Sequence, residues 1–162
     1  MTANRPPPFD TKQVSLLWAG PERAAEIAGM HARMFEEAWD HIAVIKMLEH
    51  PASTGFVCQI GIPKITVGFI MGQVMADEAE ILSIGVAPEL QRRGLGALLV
   101  GGFTRAAKRA EAKRVFLDVA ADNAAGLALY TKLGFTEQSR RKAYYPRKGA
   151  EPVDAIVMSV PV

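Results

Sequence analysis

The chain has 162 residues, 49% of them hydrophobic, which is sufficient for one domain with a buried core. Lys and Arg outnumber Asp and Glu by only 19 to 17, which argues against a generally basic nucleic-acid-binding protein and leaves only local basic patches. The single cysteine, Cys58, excludes an internal disulfide and a cysteine-pair metal site, and we expect it to be buried.

The first residues carry no targeting signal. No stretch approaches the roughly 18 uninterrupted apolar residues that cross a bilayer, and the N-terminal segment lacks the apolar core of a signal peptide. We therefore expect a cytoplasmic protein with no membrane partner. The opening sequence MTANRPPPFD has three consecutive prolines, which disfavour both helix and sheet pairing. We predict a flexible arm over residues 1–12 and a single domain over residues 13–162.

The hydrophobic pattern along the chain predicts a mixed α/β fold. It indicates an edge strand at 13–19, a helix from Pro21, and a second helix that Asp40 caps and Pro51 ends. Segments 54–61, 64–75 and 78–87 are rich in Val, Ile and Phe and read as consecutive antiparallel strands. A helix after Pro88, a strand at 114–120, a helix at 123–134 and two final strands near 135–145 and 153–160 complete the order.

The stretch LQRRGLGALL at positions 90–99 places two arginines and two glycines at the start of a helix. Helix N-terminal amides lack intrahelical partners and form an anion site, which the absence of side chains at Gly94 and Gly96 leaves open. The stretch is not a Walker loop, because Ala97 and Leu98 follow the second glycine, and it lacks the third glycine of a dinucleotide fingerprint. A phosphate or pyrophosphate site is predicted; a tight turn beside a solvated arginine pair is the alternative.

Three segments carry a resemblance to a known family. AEILSIGVAPELQRRGLGALLV, LDVAADNAAGLALYTKLGF and RRKAYYP resemble the GNAT superfamily of N-acetyltransferases, and within it the RimI-type branch, which acetylates the N-terminal alanine of a ribosomal protein. The resemblance implies a mixed, mostly antiparallel sheet of about seven strands flanked by about four helices. It also implies acetyl-CoA as cosubstrate and no metal.

The resemblance implies roles for the residues that would hold acetyl-CoA. The strand ILSIGV would bulge and splay, so that the backbone of Ile84 and Val86 pairs with the pantetheine arm and a freed amide stabilises the thioester oxygen. Asn123 would bind the pantetheine, although a helix-capping role alone also explains it. Tyr130, two turns later on the same face, would protonate the leaving thiolate; a core aromatic is the alternative. The pyrophosphate would contact Gln91, Arg92, Arg93, Gly94, Gly96 and Ala97.

The reaction needs an unprotonated amine, and a weak base is sufficient for an N-terminal α-amine, whose pKa of about 7.7–8.0 is far below the 10.4 of lysine. Asp118, five residues before Asn123, stands where the RimI-type pattern has glutamate. Aspartate withdraws the carboxylate by about 1.5 Å, one carbon–carbon bond, and a bridging water can restore the relay. Glu80 is the alternative base, and a purely structural charge at a sheet end is the alternative role for Asp118.

The sequence constrains the acceptor of the acetyl group less than it constrains the donor. The tail SRRKAYYPRKG has five basic residues around two tyrosines, a pattern also seen in single-stranded nucleic-acid binding, but the run is short and the chain nearly neutral. The resemblance implies instead that Tyr144 and Tyr145 contact an acceptor peptide, with Phe35 and Trp39 on its other side. His31, His41 and His50 lack the spacing of metal ligands, and no metal is expected.

We therefore expect an acetyl-CoA-dependent N-acetyltransferase that acts on a protein N-terminus, with a ribosomal protein as the acceptor implied by the resemblance. An acetyltransferase for small-molecule amines or lysine is one alternative, because the fold constrains the donor more than the acceptor. A non-catalytic CoA-binding regulatory domain is the other, and the aspartate at 118 favours it. We expect a monomer or weak dimer.

Overall fold

The computed structural model describes residues 6–162, and its centre is one seven-stranded sheet. The strands lie in the order β1-β2-β3-β4-β5-β7-β6; β4 and β5 are parallel and all other neighbours are antiparallel. This confirms the predicted mixed, mostly antiparallel sheet, with β1 at an edge. The strands are β1 (Ser15–Trp18), β2 (Ser53–Ile60), β3 (Ile65–Met75), β4 (Glu78–Val86), β5 (Arg114–Ala120), β6 (Thr136–Arg147) and β7 (Ala150–Pro161).

Four α-helices within the described residues cover the two faces of the sheet: α1 (Ala24–Met34), α2 (His41–Glu49), α3 (Leu95–Arg109) and α4 (Ala124–Lys132). Leu99 and Phe103 of α3 bury one face, together with Cys58 of β2. Ile27 of α1 and Val44 of α2 bury the other face against Phe69. Helices α1, α2 and α3 therefore each place an apolar stripe on the sheet, as their periodicity predicts. None of these helices is long and apolar enough to span a membrane.

Two helix starts follow the predicted capping chemistry. The Asp40 carboxylate accepts a hydrogen bond from the Ala43 amide at 2.8 Å, and the Asn123 Oδ1 accepts one from the Gly126 amide at 2.9 Å. Each satisfies one of the amides that the first turn of a helix leaves unpaired. The capping role of Asn123 is thus part of the fold.

Strand β4 is paired on both edges in its first half and on one edge only in its second half. Its pairing with β3 shifts register between Ile81 and Ser83, so that Leu82 is an extra residue in a β-bulge. Gly72 lies opposite the bulge, where a Cβ would collide with the Glu80 carbonyl and the Phe103 ring. Pairing with β5 covers only Glu78–Ile81, and beyond it β5 pairs with β7 alone. The second half of β4 therefore splays from β5, as the family resemblance implies.

Candidate active site

The splayed half of β4 has an open backbone edge. The Ala87 amide donates to the Val67 carbonyl of β3 at 2.8 Å, and peptide groups alternate direction along a strand. The amides of Ile84 and Val86 therefore point away from β3, into the gap beside β5. The Val86 carbonyl faces the same gap and accepts a hydrogen bond from the Gln91 side chain at 3.0 Å. This edge can pair with an extended ligand as another strand would.

The glycine-containing loop joins this edge to the start of α3. Gly94 immediately precedes the helix with φ of 92°, a left-handed conformation that glycine adopts without steric cost, and a Cβ there would point into open space. A Cβ on Gly96 would lie 3.1 Å from Leu129, so this glycine also lets α4 approach α3. The amides of the first turn of α3, Ala97 included, lack intrahelical partners. The loop thus presents the predicted anion-binding amides.

Residues 6–12 of the predicted arm contact this loop. Residues 1–5 lie outside the part of the chain that the structure describes. The Arg93 Nε donates to the Pro7 carbonyl at 3.0 Å, and the Phe9 amide donates to the Arg93 carbonyl at 3.0 Å. The Arg93 guanidinium lies 3.8 Å from the centre of the Phe9 ring, in cation–π geometry. Sequence reasoning assigned no role to this segment; it orients one of the two loop arginines.

We expect Phe9→Ala to weaken CoA binding about two- to five-fold, because it removes a cation–π contact of about 0.5–1 kcal/mol that holds Arg93. Phe9→Leu is the matched control, since leucine keeps apolar contact and lacks the aromatic face. Isothermal titration with CoA measures both affinities. Equal affinities for the wild type and both variants would show that the arm does not act on the loop.

Three carboxylates, those of Glu78, Glu80 and Asp118, line a cavity of about 390 Å³. The Asp118 carboxylate lies 3.7 Å from the Arg141 guanidinium. Burial raises the pKa of the Glu80 carboxyl, the Asp118 carboxylate raises it further, and Arg141 partly offsets both. Both predicted bases therefore line the same cavity, and Arg141 neutralises part of their negative charge. The lining also includes Gln73, Met75, Ala79, Phe116 and Val157.

Tyr130 of α4 lies in the core, near Tyr145 of the β6–β7 hairpin. Its ring is buried and packs edge-to-face on Phe135, with ring centres 5.8 Å apart. Burial, with a smaller contribution from Tyr145, raises the pKa of the Tyr130 hydroxyl to about 12, so it is protonated at neutral pH. The hydroxyl makes no hydrogen bond to residues 6–162. Every fully buried side-chain N or O atom in those residues does have a hydrogen-bond partner, so the Tyr130 oxygen is not fully buried.

Tyr145 of β6 is half-buried beside Asp118. Burial raises the pKa of the Tyr145 hydroxyl, and the nearby Asp118 carboxylate raises it further. Tyr145 also raises the pKa of the Tyr130 hydroxyl, so Tyr145 lies near both Asp118 and Tyr130. The exposed Tyr144 ring lies beside Tyr145, with centres 5.0 Å apart and planes at 87°.

The hairpin of β6 and β7 is fixed in place by ion pairs. Arg147 donates two hydrogen bonds to the Asp122 carboxylate, at 2.9 and 3.1 Å, which ties the hairpin to the turn before α4. Lys148 lies 3.4 Å from Glu36 in the loop between α1 and α2. This ion pair brings the turn of the hairpin close to the loop that carries Phe35 and Trp39.

Residues 24–135 match the model of the acetyltransferase (GNAT) family. The chain belongs to the GNAT family. The [ribosomal protein bS18]-alanine N-acetyltransferase of Salmonella typhimurium is 42% identical over 95 residues, which cover 58% of this chain and 63% of that relative's length. N-alpha-acetyltransferase RimI of Mycobacterium tuberculosis is 30% identical over 146 residues, 88% of this chain and 90% of that protein. The crystal structure of the ribosomal-protein-S18-alanine N-acetyltransferase from Escherichia coli has a TM-score of 0.84 at 28% identity, covering 92% of this chain and 94% of that one.

Sequence reasoning missed three residues of this GNAT site. Arg141 was counted only as one of a basic run, yet it pairs with Asp118. Asp154 accepts a hydrogen bond from the Ala143 amide at 2.9 Å and stabilises the β6 bulge that precedes the tyrosine pair. The Ser83 hydroxyl on β4 forms a hydrogen bond with Nε2 of His31 on α1. Each contact joins residues far apart in the chain, so a local pattern contains no signal for it.

Proposed function

We propose that this chain is an acetyl-CoA-dependent N-acetyltransferase whose acceptor is the N-terminal α-amine of a protein. Residues 13–162 act as one acetyltransferase domain. The observation that carries the proposal is the open edge of β4. The amide-rich loop before α3 lies at one end of this edge, and the cavity lined by Asp118 and Glu80 lies at the other. This is the order in which an extended thioester ligand would need an anion site, a backbone partner and reactive side chains.

The donor side fits the residues present. The first-turn amides of α3 and the open space at Gly94 suit a pyrophosphate, and Arg93 adds positive charge. The outward amides of Ile84 and Val86 suit the amide groups of a pantetheine arm, and an amide freed by the bulge suits a thioester oxygen. Bound acetyl-CoA supplies the acetyl group as an activated thioester. The Oδ1 of Asn123 caps α4, so its Nδ2 is the atom that would donate a hydrogen bond to this ligand.

The acceptor side supplies proton transfer at both ends of the reaction. Asp118 accepts the proton of the attacking amine, directly or through one water, and Tyr130 holds a proton for the leaving sulfur. A direct transfer needs no nucleophilic side chain on the enzyme. An α-amine suits a carboxylate base, because at neutral pH a far larger fraction of it is already unprotonated than of a lysine amine.

The names of the relatives favour a particular acceptor. The Salmonella and Escherichia coli proteins are named for the alanine of a ribosomal protein. We propose an alanine-starting N-terminus of a ribosomal protein as acceptor, held between the loop of Phe35 and Trp39 and the hairpin of Tyr144 and Tyr145.

The test uses purified protein, acetyl-CoA and an alanine-starting peptide with one internal lysine, and measures thiol release and the site of acetylation by mass spectrometry. A second peptide with a blocked N-terminus is the matched control. Acetyl on the α-amine alone supports the proposal. Acetyl on lysine, or turnover with small amines only, favours the alternative acceptors. CoA binding without transfer to any amine favours a regulatory domain.

A further inference from the structure

His31 is a buried histidine that hydrogen-bonds two distant segments. It lies on α1 and is 3% exposed. The Trp39 amide donates to its Nδ1 at 3.0 Å, and its Nε2 lies 3.1 Å from the Ser83 hydroxyl on β4. A backbone amide can only donate, so Nδ1 carries no proton. The neutral ring is therefore protonated at Nε2, which donates to Ser83.

The same ring is stacked between the two aromatic residues predicted to line the acceptor. Its centre lies 4.2 Å from that of Phe35 and 5.0 Å from that of Trp39, with planes within 23° and 13° of parallel. Ser83 is the first residue after the β4 bulge, at the start of the splayed segment. His31 thus sets the distance between the acceptor loop and the strand that carries the freed amides.

The contacts around His31 favour its neutral form. Burial lowers the pKa of the imidazole below 6.5. The groups facing the ring are uncharged on every element packed against it: Phe69 from β3, Ser83 from β4, and Phe35 and Trp39 from the loop. The charged side chains of that loop, Glu36, Glu37 and Asp40, are exposed, with Glu36 paired to Lys148 and Asp40 capping α2. Protonation of Nδ1 would remove the acceptor for the Trp39 amide.

We infer that His31 is a positioning residue for the acceptor: by holding Trp39 and Ser83 at once, it keeps the loop of Phe35 and Trp39 at the spacing that a peptide needs. The inference rests on the proposed function, since it assigns that loop to the acceptor. His31 touches neither the attacking amine nor the thioester, and it controls the affinity for the acceptor instead of the rate of acetyl transfer.

The kinetic test uses His31→Phe, which keeps a stacked ring and removes both hydrogen bonds, and Ser83→Ala, which removes one partner. We expect His31→Phe to raise the peptide KM roughly ten-fold with kcat changed less than about three-fold, as loss of uniform binding does. The Kd for CoA stays at the wild-type value. The ratio of the variant KM to the wild-type KM should fall toward one as the pH drops through the lowered pKa of His31, because protonated His31 in the wild type no longer accepts the hydrogen bond of the Trp39 amide.

Two measurements do not depend on activity, and the first of them needs no variant. Long-range ¹H–¹⁵N NMR of the wild type should show the Nε2–H tautomer at pH 7.5, and an Nδ1–H tautomer would overturn the inference. The chain has two tryptophans, so Trp18→Phe leaves Trp39 as the single reporter. Adding His31→Phe or Ser83→Ala should shift its emission to longer wavelength. Unchanged emission with an unchanged peptide KM would refute the positioning role.

Failure of the proposed function gives a different result. If the wild type acetylates no amine, the proposed function fails, while the tautomer and the Trp39 emission still decide whether His31 holds the loop. If the wild type acetylates peptides and His31→Phe has the wild-type KM across the pH range, the positioning role fails and the proposed function stands.

Discussion

Tyr130→Phe should lower kcat about 100-fold, the lower range of the effect that general acid catalysis supplies. The ring is buried against Phe135, so phenylalanine preserves the packing, and the hydroxyl makes no hydrogen bond to residues 6–162 that the change would break. Burial holds the pKa of the hydroxyl near 12, which keeps its proton available throughout the neutral range. Steady-state thiol release with acetyl-CoA and peptide measures the effect.

Tyr145→Phe is the comparison for this variant, because it removes the hydroxyl of the nearby tyrosine. If Tyr145 contacts the acceptor, its loss raises the peptide KM more than it lowers kcat. Thermal unfolding of both variants should match the wild type. A kcat for Tyr130→Phe close to that of the wild type would assign Tyr130 to the core alone, which is the alternative that its sequence position left open.

Local signals explain which parts of the fold the sequence predicts. Asp40 and Asn123 cap helices through contacts three residues away, so a short window contains both partners. The alternation of Val115, Leu117 and Val119 on β5 is likewise a property of one segment, and the predicted strand at 114–120 has the observed bounds. The elements and their order are therefore predictable from spacing alone.

The geometry of the site depends on contacts between distant segments. In the splay, the second half of β5 loses β4 as a partner and keeps β7 on its other edge, and only the family resemblance implied this. Ala155 of β7 pairs with Ala120 on one side and Arg141 on the other, and this register brings Arg141 near Asp118. His31 and Ser83 are 52 residues apart. Such pairs form only when the sheet has assembled.

Asp118→Asn should lower kcat/KM about 100-fold at pH 7, the loss expected when a positioned base is removed. The deficit should narrow as the pH rises above the α-amine pKa of about 7.7–8.0, because the amine then arrives without the proton that Asp118 removes. A pH profile of kcat/KM for the wild type and the variant measures this. A deficit that stays constant up to pH 9.5 would show that Asp118 acts by charge alone.

Glu80→Gln is the matched control, because it removes the other predicted base from the same cavity. The raised pKa of Glu80 means that the folded state binds its proton more tightly than the unfolded state does, so its ionisation costs stability as the pH rises through that pKa. The glutamine variant should therefore unfold at a higher temperature at pH 7 and retain most of its activity. The reverse pattern, with activity lost in Glu80→Gln and kept in Asp118→Asn, would assign the base to Glu80.

Asp118→Glu tests whether the shorter side chain limits the reaction. Glutamate at 118 would extend the carboxylate by about 1.5 Å toward the amine and remove the need for a bridging water. We expect kcat to equal or exceed that of the wild type, with Arg141 still able to pair with the carboxylate because its own side chain is long and half-exposed. If Asp118→Glu instead loses activity while CoA binding is retained, the cavity is shaped for aspartate, and its carboxylate acts at the position that the ion pair with Arg141 defines.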